Sequence, residues 1–425
     1  MQGTKYNFFL LLTGQMVSVF GSSVHLVAVI IFIKELTGMA AALGIFQFTA
    51  YLPIVILSPL GGMVADSVSK KKILVYTDAA RGIIMILLGI LLIRGQLNYL
   101  ILLAGTFLIS ICSALFHPAA HAIFPEIVPP ERIRKKNAVK GTSLLGANIA
   151  GSSVGGLAYG LFGPAPVFII NGLSFLASGV EESFIRYRHT PADSGPGRAT
   201  RNPEIIDPRR IGRAIRESLK ELREYLRQEE GVFTILITYG LVNSLYPPVI
   251  LSLPFLLEQR YSLGPGFFGA AMALLLAGGG AGAFLYGFVH GGRPGRGFLF
   301  FSALSALAAL LLSAGLIRTP PVLFFILPLS GACIGLVHQI ITTSLYQRIQ
   351  AEKRGRVFGV MESLASFAVP LSYAAGGIIL QFMQTRLSWF YLCMAGLIGI
   401  VTVFLYFGTR VREFLSKAGT HSADY

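Results

Sequence analysis

Along most of this chain, apolar residues run on for about 20 positions at a time. Twelve such windows stand near 8–33, 41–64, 73–93, 98–123, 138–162, 165–186, 231–257, 266–290, 297–316, 320–345, 356–382 and 387–409. Each is long enough for a helix to cross the roughly 30 Å hydrocarbon layer of a bilayer. At that depth the backbone finds no water, so a helix, which bonds its own donors and acceptors, is the predicted element for every window. The first window is too long for a signal-peptide core and is read as a retained span.

One long polar stretch interrupts the series, "RHTPADSGPGRATRNPEIIDPRRIGRAIRESLKELREYLRQEEG". It opens rich in proline and glycine. Then Ile211, Ile215, Leu219, Leu222 and Leu226 recur at helical spacing, which predicts an amphipathic helix on the membrane surface. The predicted organisation is a six-helix bundle over 1–187, a linker over 188–230, a second six-helix bundle over 231–412 and a tail over 413–425.

Composition agrees with the pattern. The 425 residues are 54% hydrophobic and 13% charged, with mean hydropathy +0.67. A soluble domain carries roughly 25% charged residues, so this chain could not cover a water-facing surface. The net charge of +15 has a topological reading. With alternate loops on opposite sides, about 29 lysines and arginines fall on one side and 5 on the other. The positive-inside rule then places both termini and the linker in the cytoplasm. No nucleic-acid motif, metal cluster, nucleophile elbow or phosphate loop occurs, so the expectation is neither an enzyme nor a nucleic-acid binder. Cys112, Cys333 and Cys393 fall inside apolar windows and read as small apolar fillers.

The two halves share a faint repeat. At an offset of 221 residues, "CSALFH" (112–117) lands on "CIGLVH" (333–338), and Glu131–Arg132 lands on Glu352–Lys353. Two parallel six-helix repeats imply a pseudo-two-fold axis along the membrane normal, with a cavity between the halves.

The turn after the second window reads "GGMVADSVSKKK". Gly62, Asp66, Lys70 and Lys71 match G-x-x-x-D-x-x-G-[RK]-[RK], with Ser69 in place of the last glycine. This resembles the loop signature of the major facilitator superfamily, whose fold is twelve helices in two pseudo-symmetric bundles. The resemblance implies that Asp66 meets the start of the eleventh helix when the cytoplasmic side closes. Arg356, in "RGRVFG", is then its partner. In "AGSSVGG" of the fifth span, Gly151, Gly155 and Gly156 match the antiporter pattern G-P-x-x-G-G, with Ser152 in place of proline. Close helix packing accounts for the same glycines. The fourth-span arginine of drug–proton antiporters is absent, with Ser110 about where it would stand. "LFHPAAHAIFPEIVPPERI" and "GRVFGVMESLASFAVP" resemble the subgroup containing macrolide-efflux proteins and relatives of the enterobactin exporter. The lysophospholipid-flippase branch has a similar "VADS" loop.

Ionisable groups inside spans mark functional candidates. Asp78 and Arg81 stand at i, i+3, as a structural pair or a coupling site. Glu362 has no basic neighbour nearby in sequence and suits proton coupling, unless a base such as Arg81 reaches it from another helix. His25 is a further proton candidate, or a neutral imidazole bonded to a carbonyl. Glu181 and Glu182 read as interfacial, with Glu182 reaching Arg186. Gln15, Ser18, Asn148, Asn243 and Tyr246 are the candidate cavity lining, because Pro247 and Pro248 break the seventh span and free carbonyls there.

Together these predict an alternating-access exporter of amphipathic or hydrophobic small molecules in a bacterial inner membrane. It would act as a monomer, use the proton gradient and need no cofactor. A lysophospholipid flippase is the alternative, and a non-transporting receptor or sensor a more remote one.

Overall fold

Twelve long helices and no strand make up the described part of the molecule, a computed structural model. It describes residues 2–186, 230–288, 295–349, 351–408 and 410–417, with all their side chains except those of residues 2–5, 59, 66–67, 230, 348, 351–366 and 416–417. The predicted amphipathic helix over 211–226 lies outside them.

The first half comprises α1 (Gln2–Thr37), α2 (Ala40–Ser67), α3 (Lys70–Ile93), α4 (Tyr99–Ile127), α5 (Ile133–Phe162) and α6 (Pro164–Ser183). In the second half the seventh span is α7 (Glu230–Leu245) and α8 (Pro247–Phe255), extended by a π turn over Leu256–Arg260. Then follow α9 (Pro265–Tyr286), α10 (Arg296–Leu316), α11 (Pro320–Arg348), α12 (Ala351–Met383) and α13 (Leu387–Phe407). Ten stretches of these helices are long and apolar enough to cross a membrane. One of them, Phe367–Phe407, is two helices joined by a turn at Gln384–Arg386. With α5, whose first turns carry Arg134, Lys135, Lys136 and Lys140, the total is the twelve predicted spans.

Local chemistry ends the helices where the sequence allows. Asn98 caps α4 by accepting from the Ile101 N–H at 2.9 Å. Proline opens α6, α8, α9 and α11, where its missing N–H costs nothing. Gly38, at φ +64°, makes the left-handed turn between α1 and α2. A last helix, α14 (Val411–Lys417), runs across the predicted boundary at 412 into the tail. Its Val411, Phe414 and Leu415 are buried, with Phe414 against Gly231 at the start of α7. The boundary drawn at 412 therefore falls inside a packed helix.

Within the first half α3 packs on α6, α2 on α4, and α1 on α5 and α6; in the second, α9 packs on α11 and α10 on α13. Two seams join the halves, α2 with α12 and α5 with α9. Glycine makes both possible. A β-carbon on Gly44 would lie 2.9 Å from Gly377 Cα, and one on Gly156 would lie 3.0 Å from Gly269 N.

Candidate functional site

A cavity of about 450 Å³ opens among the helices of the first half. All six contribute to its wall: Gln15, Ser18 and His25 from α1, Gln47 and Tyr51 from α2, Arg81 from α3, Ser110 and His117 from α4, Lys140 from α5 and Asn171 from α6. The remaining wall is mostly apolar, with Val29, Phe46, Ile54, Met85, Phe116 and Phe175 among the residues that line it. Among the described residues no carboxylate lines it, although Arg81 and Lys140 do. A greasy chamber with a few fixed polar groups is what holds an amphipathic small molecule.

Of the predicted lining, Gln15 and Ser18 face this cavity, and the other three do not. Asn148 accepts a hydrogen bond from the Ser23 hydroxyl at 2.8 Å, which ties α5 to α1. Asn243 donates to the Tyr239 carbonyl of its own helix at 2.8 Å. Tyr246 is buried at the α7–α8 break. That break does free a carbonyl, because Pro248 has no N–H to give Ser244, but the Ser372 hydroxyl of α12 donates to it. Gly376 of α12 sits against the Pro248 ring. The break is thus filled by protein, which corrects the expectation that it marks a ligand site.

Arg81 carries the local electrostatics. It forms an ion pair with the fully buried Asp78, one helical turn earlier in α3. Its guanidinium also lies between two rings, 4.1 Å from the Phe116 centroid and 4.6 Å from that of Phe175. Glu182 was read from sequence as a solvated end group, and the structure overturns this. It is fully buried against α3, with both carboxyl oxygens lacking a hydrogen-bond partner. Sequence distance hid this, because 104 positions separate Glu182 from Asp78 and only the α3–α6 packing brings them together. His25 lines the cavity edge-on to Phe168, with centroids 4.5 Å apart. Its Nδ1 is buried without a partner, so the carbonyl bond expected of it is not made.

The loop residues divide. Gly62 has open space around its Cα. Lys70 is buried and pairs with Glu126 at the end of α4, at 3.1 Å, while Lys71 stays partly exposed. The side chains of Asp66, Arg356 and Glu362 lie outside the described residues. In α5, Gly151 and Gly155 lie against α1 at Phe20 and Val24, and Gly156 faces α9. One motif therefore serves two seams.

Among the described residues, polar bridges between the halves gather at the end of the molecule remote from Lys70–Lys72. Lys34 pairs with Glu258 and donates to the Pro254 carbonyl at 3.1 Å. Gln384 donates to the Gly38 carbonyl at 2.9 Å, and Ala41 N–H to Gln381 Oε1 at 3.3 Å. Deeper in, Tyr51 stacks on Tyr373, with ring centroids 5.8 Å apart.

Comparison with known proteins agrees with this architecture. The family model of the Major Facilitator Superfamily matches residues 11–368. Macrolide efflux protein A of Streptococcus pyogenes is 25% identical over 374 residues, covering 86% of this chain and 87% of that protein. The putative bacilysin exporter BacE of Bacillus amyloliquefaciens is 24% identical over 401 residues, 90% of each chain. Among solved structures, a bacterial homologue of the human lysosomal transporter Spinster, inward-facing and occupied, superposes with a TM-score of 0.73 at 14% identity, covering 98% of this chain and 97% of that one. The nucleoside transporter NupG gives 0.71 at 11% identity, covering 94% and 98%. Twelve membrane-length helices, the glycine seams and a match over most of the chain lead to one assignment: the protein belongs to the Major Facilitator Superfamily, a transporter and not an enzyme.

Proposed function

We propose that this transporter exports amphipathic or hydrophobic small molecules by alternating access, with protons flowing inward in exchange. The cavity carries the reading: about 450 Å³, largely apolar, with separate amide, hydroxyl and imidazole groups to orient a ligand. The efflux-type relatives support the direction of transport. With the lysine-rich end placed in the cytoplasm by charge bias, the bridges around Lys34 and Gln384 close the outer mouth, and the cavity belongs to an inward-open state. In the outward-open state the Asp66 carboxylate would meet Arg356 and the start of α12, holding the inner mouth shut. Such a contact biases a two-state equilibrium only in the state where it forms. Glu362 and His25 are candidate proton carriers. The protein acts in the cell membrane as a monomer, without a cofactor.

The test is efflux of erythromycin and ethidium from a pump-deficient bacterial host expressing the chain. Efflux should depend on external acidity and stop when the proton gradient is collapsed. Asp66→Asn should slow it several-fold. Glu362→Gln should remove its acidity dependence if Glu362 couples the proton. Wild-type cells that retain both probes would end the export reading.

A second reading rests on the charge of the same cavity. Arg81 and Lys140, with no carboxylate lining the cavity among the described residues, suit a phosphate-bearing amphiphile such as a lysophospholipid. Flipping of a labelled lysophospholipid that survives collapse of the gradient would favour that substrate over export by antiport. Absence of flux for every probe would leave a receptor on this scaffold.

A further inference from the structure

The α3–α6 seam holds more buried acid than base. Asp78 and Glu182 are each fully buried, and the cation set against them is Arg81. The Ser178 hydroxyl faces the Asp78 carboxylate, whereas Arg81 Nε and both oxygens of Glu182 are buried without a hydrogen-bond partner, so the unmet polarity concentrates on Glu182. Glu182 faces Asp78 and Arg81 from α3 and Glu181 on its own helix. Glu181 is turned toward α1, where the Thr13 hydroxyl donates to it at 2.5 Å. From α4, Cys112 and His117 face Arg81. From α1 comes Gly14, opposite Ser178, with no charge.

If both acids are ionised, one negative charge in this dry seam has no counter-ion, and a buried charge left unpaired is strongly destabilising. A proton on one carboxyl removes that charge. It also turns an acceptor into a donor, which a neighbouring carboxylate can accept. Arg81 pairs with Asp78, which favours ionised Asp78 and leaves Glu182 to carry the proton. We propose that Glu182, with Asp78 and Arg81, forms a buried proton-binding site in the first bundle, Glu182 being the group that takes up and releases the proton. Arg81 also lines the cavity, so the site adjoins the ligand chamber through one side chain. Four residues beyond Glu182, Asn7 Nδ2 donates to the Arg186 carbonyl at 2.8 Å and the Arg186 N–H to Asn7 Oδ1 at 2.9 Å, which ties the end of α6 to α1. The role in coupling rests on the antiport reading; the protonation does not.

The test is infrared spectroscopy of the purified full-length protein in lipid nanodiscs, titrated with pH. Wild type should show a carboxylic-acid C=O band at neutral pH that Glu182→Gln loses and Glu181→Gln keeps. Asp78→Asn is a second variant for the case in which Glu182→Gln does not fold. It leaves one acid for one base, so the band should vanish there too. A band that persists in either folded variant overturns the proposal. A band lost as expected, beside wild-type ethidium efflux that ignores an imposed pH gradient, keeps the proton site and removes antiport.

Discussion

At the scale of single residues, Arg81 shows how one cation can serve packing and charge together. It is paired with Asp78, sandwiched by Phe116 and Phe175, and still reaches the cavity wall. Arg81→Met keeps much of the apolar stem but leaves Asp78 buried without its base. Breaking a buried pair from one side costs about 3–5 kcal/mol. A large drop in thermal unfolding temperature is expected, partly restored when Asp78→Asn is added; equal stability of single and double variants would contradict the pairing. Ser372→Ala removes the donor that satisfies the Ser244 carbonyl beside Pro248. The expected loss is about 1–3 kcal/mol, measured by thermal unfolding. The Asp78–Arg81 pair was legible because i, i+3 spacing is local. The fate of Glu182 was not, since Arg186 was its nearest base in sequence and the fold turned it toward α3 instead.

At the scale of elements, α5 joins two neighbours through glycines on different faces. Gly151 and Gly155 admit α1, while Gly156 admits α9 of the other half. A branched side chain at Gly156 has no room, because even a β-carbon would stand 3.0 Å from Gly269 N. Gly156→Val should abolish transport and lower the cross-linking yield between cysteines placed at Leu157 and Gly266, which touch in this seam. Gly160→Ala, with open space around it, should leave both unchanged. Equal cross-linking in the two variants would show that the seam does not depend on Gly156. The glycine spacing was visible in the chain, but which glycine meets which helix was not. The α7–α8 break teaches the converse: Pro247 and Pro248 place it correctly, yet α12 fills it.

At the scale of the whole molecule, the halves are clasped at the end away from Lys70–Lys72. The Lys34–Glu258 pair is exposed on its acidic side, 63% for the Glu258 side chain, so it contributes at most about 1 kcal/mol. In a transporter poised between two states, that amount shifts the populations about fivefold. Lys34→Met should therefore favour opening of this mouth. Spin labels at Met39 and Thr385 should report a larger fraction of long distances by electron–electron resonance. High salt should move the wild type in the same direction, because screening weakens an exposed pair. An unchanged distance distribution would assign the clasp to the glycine seams alone.

The number of crossings, their order, the midpoint that divides them and the place of the break in the seventh span can all be read from the chain alone. Each of these follows from the length of an apolar run, from the charge of the loop beside it, or from a proline that cannot donate. The face that each helix turns inward was settled by packing. In α1 a polar stripe of Gln15, Ser18, Ser22 and His25 at helical spacing marks the chamber wall in advance. Helices apolar on nearly every side carry no such mark, so the burial of Glu182 and the filling of the proline break arise from contacts between distant segments.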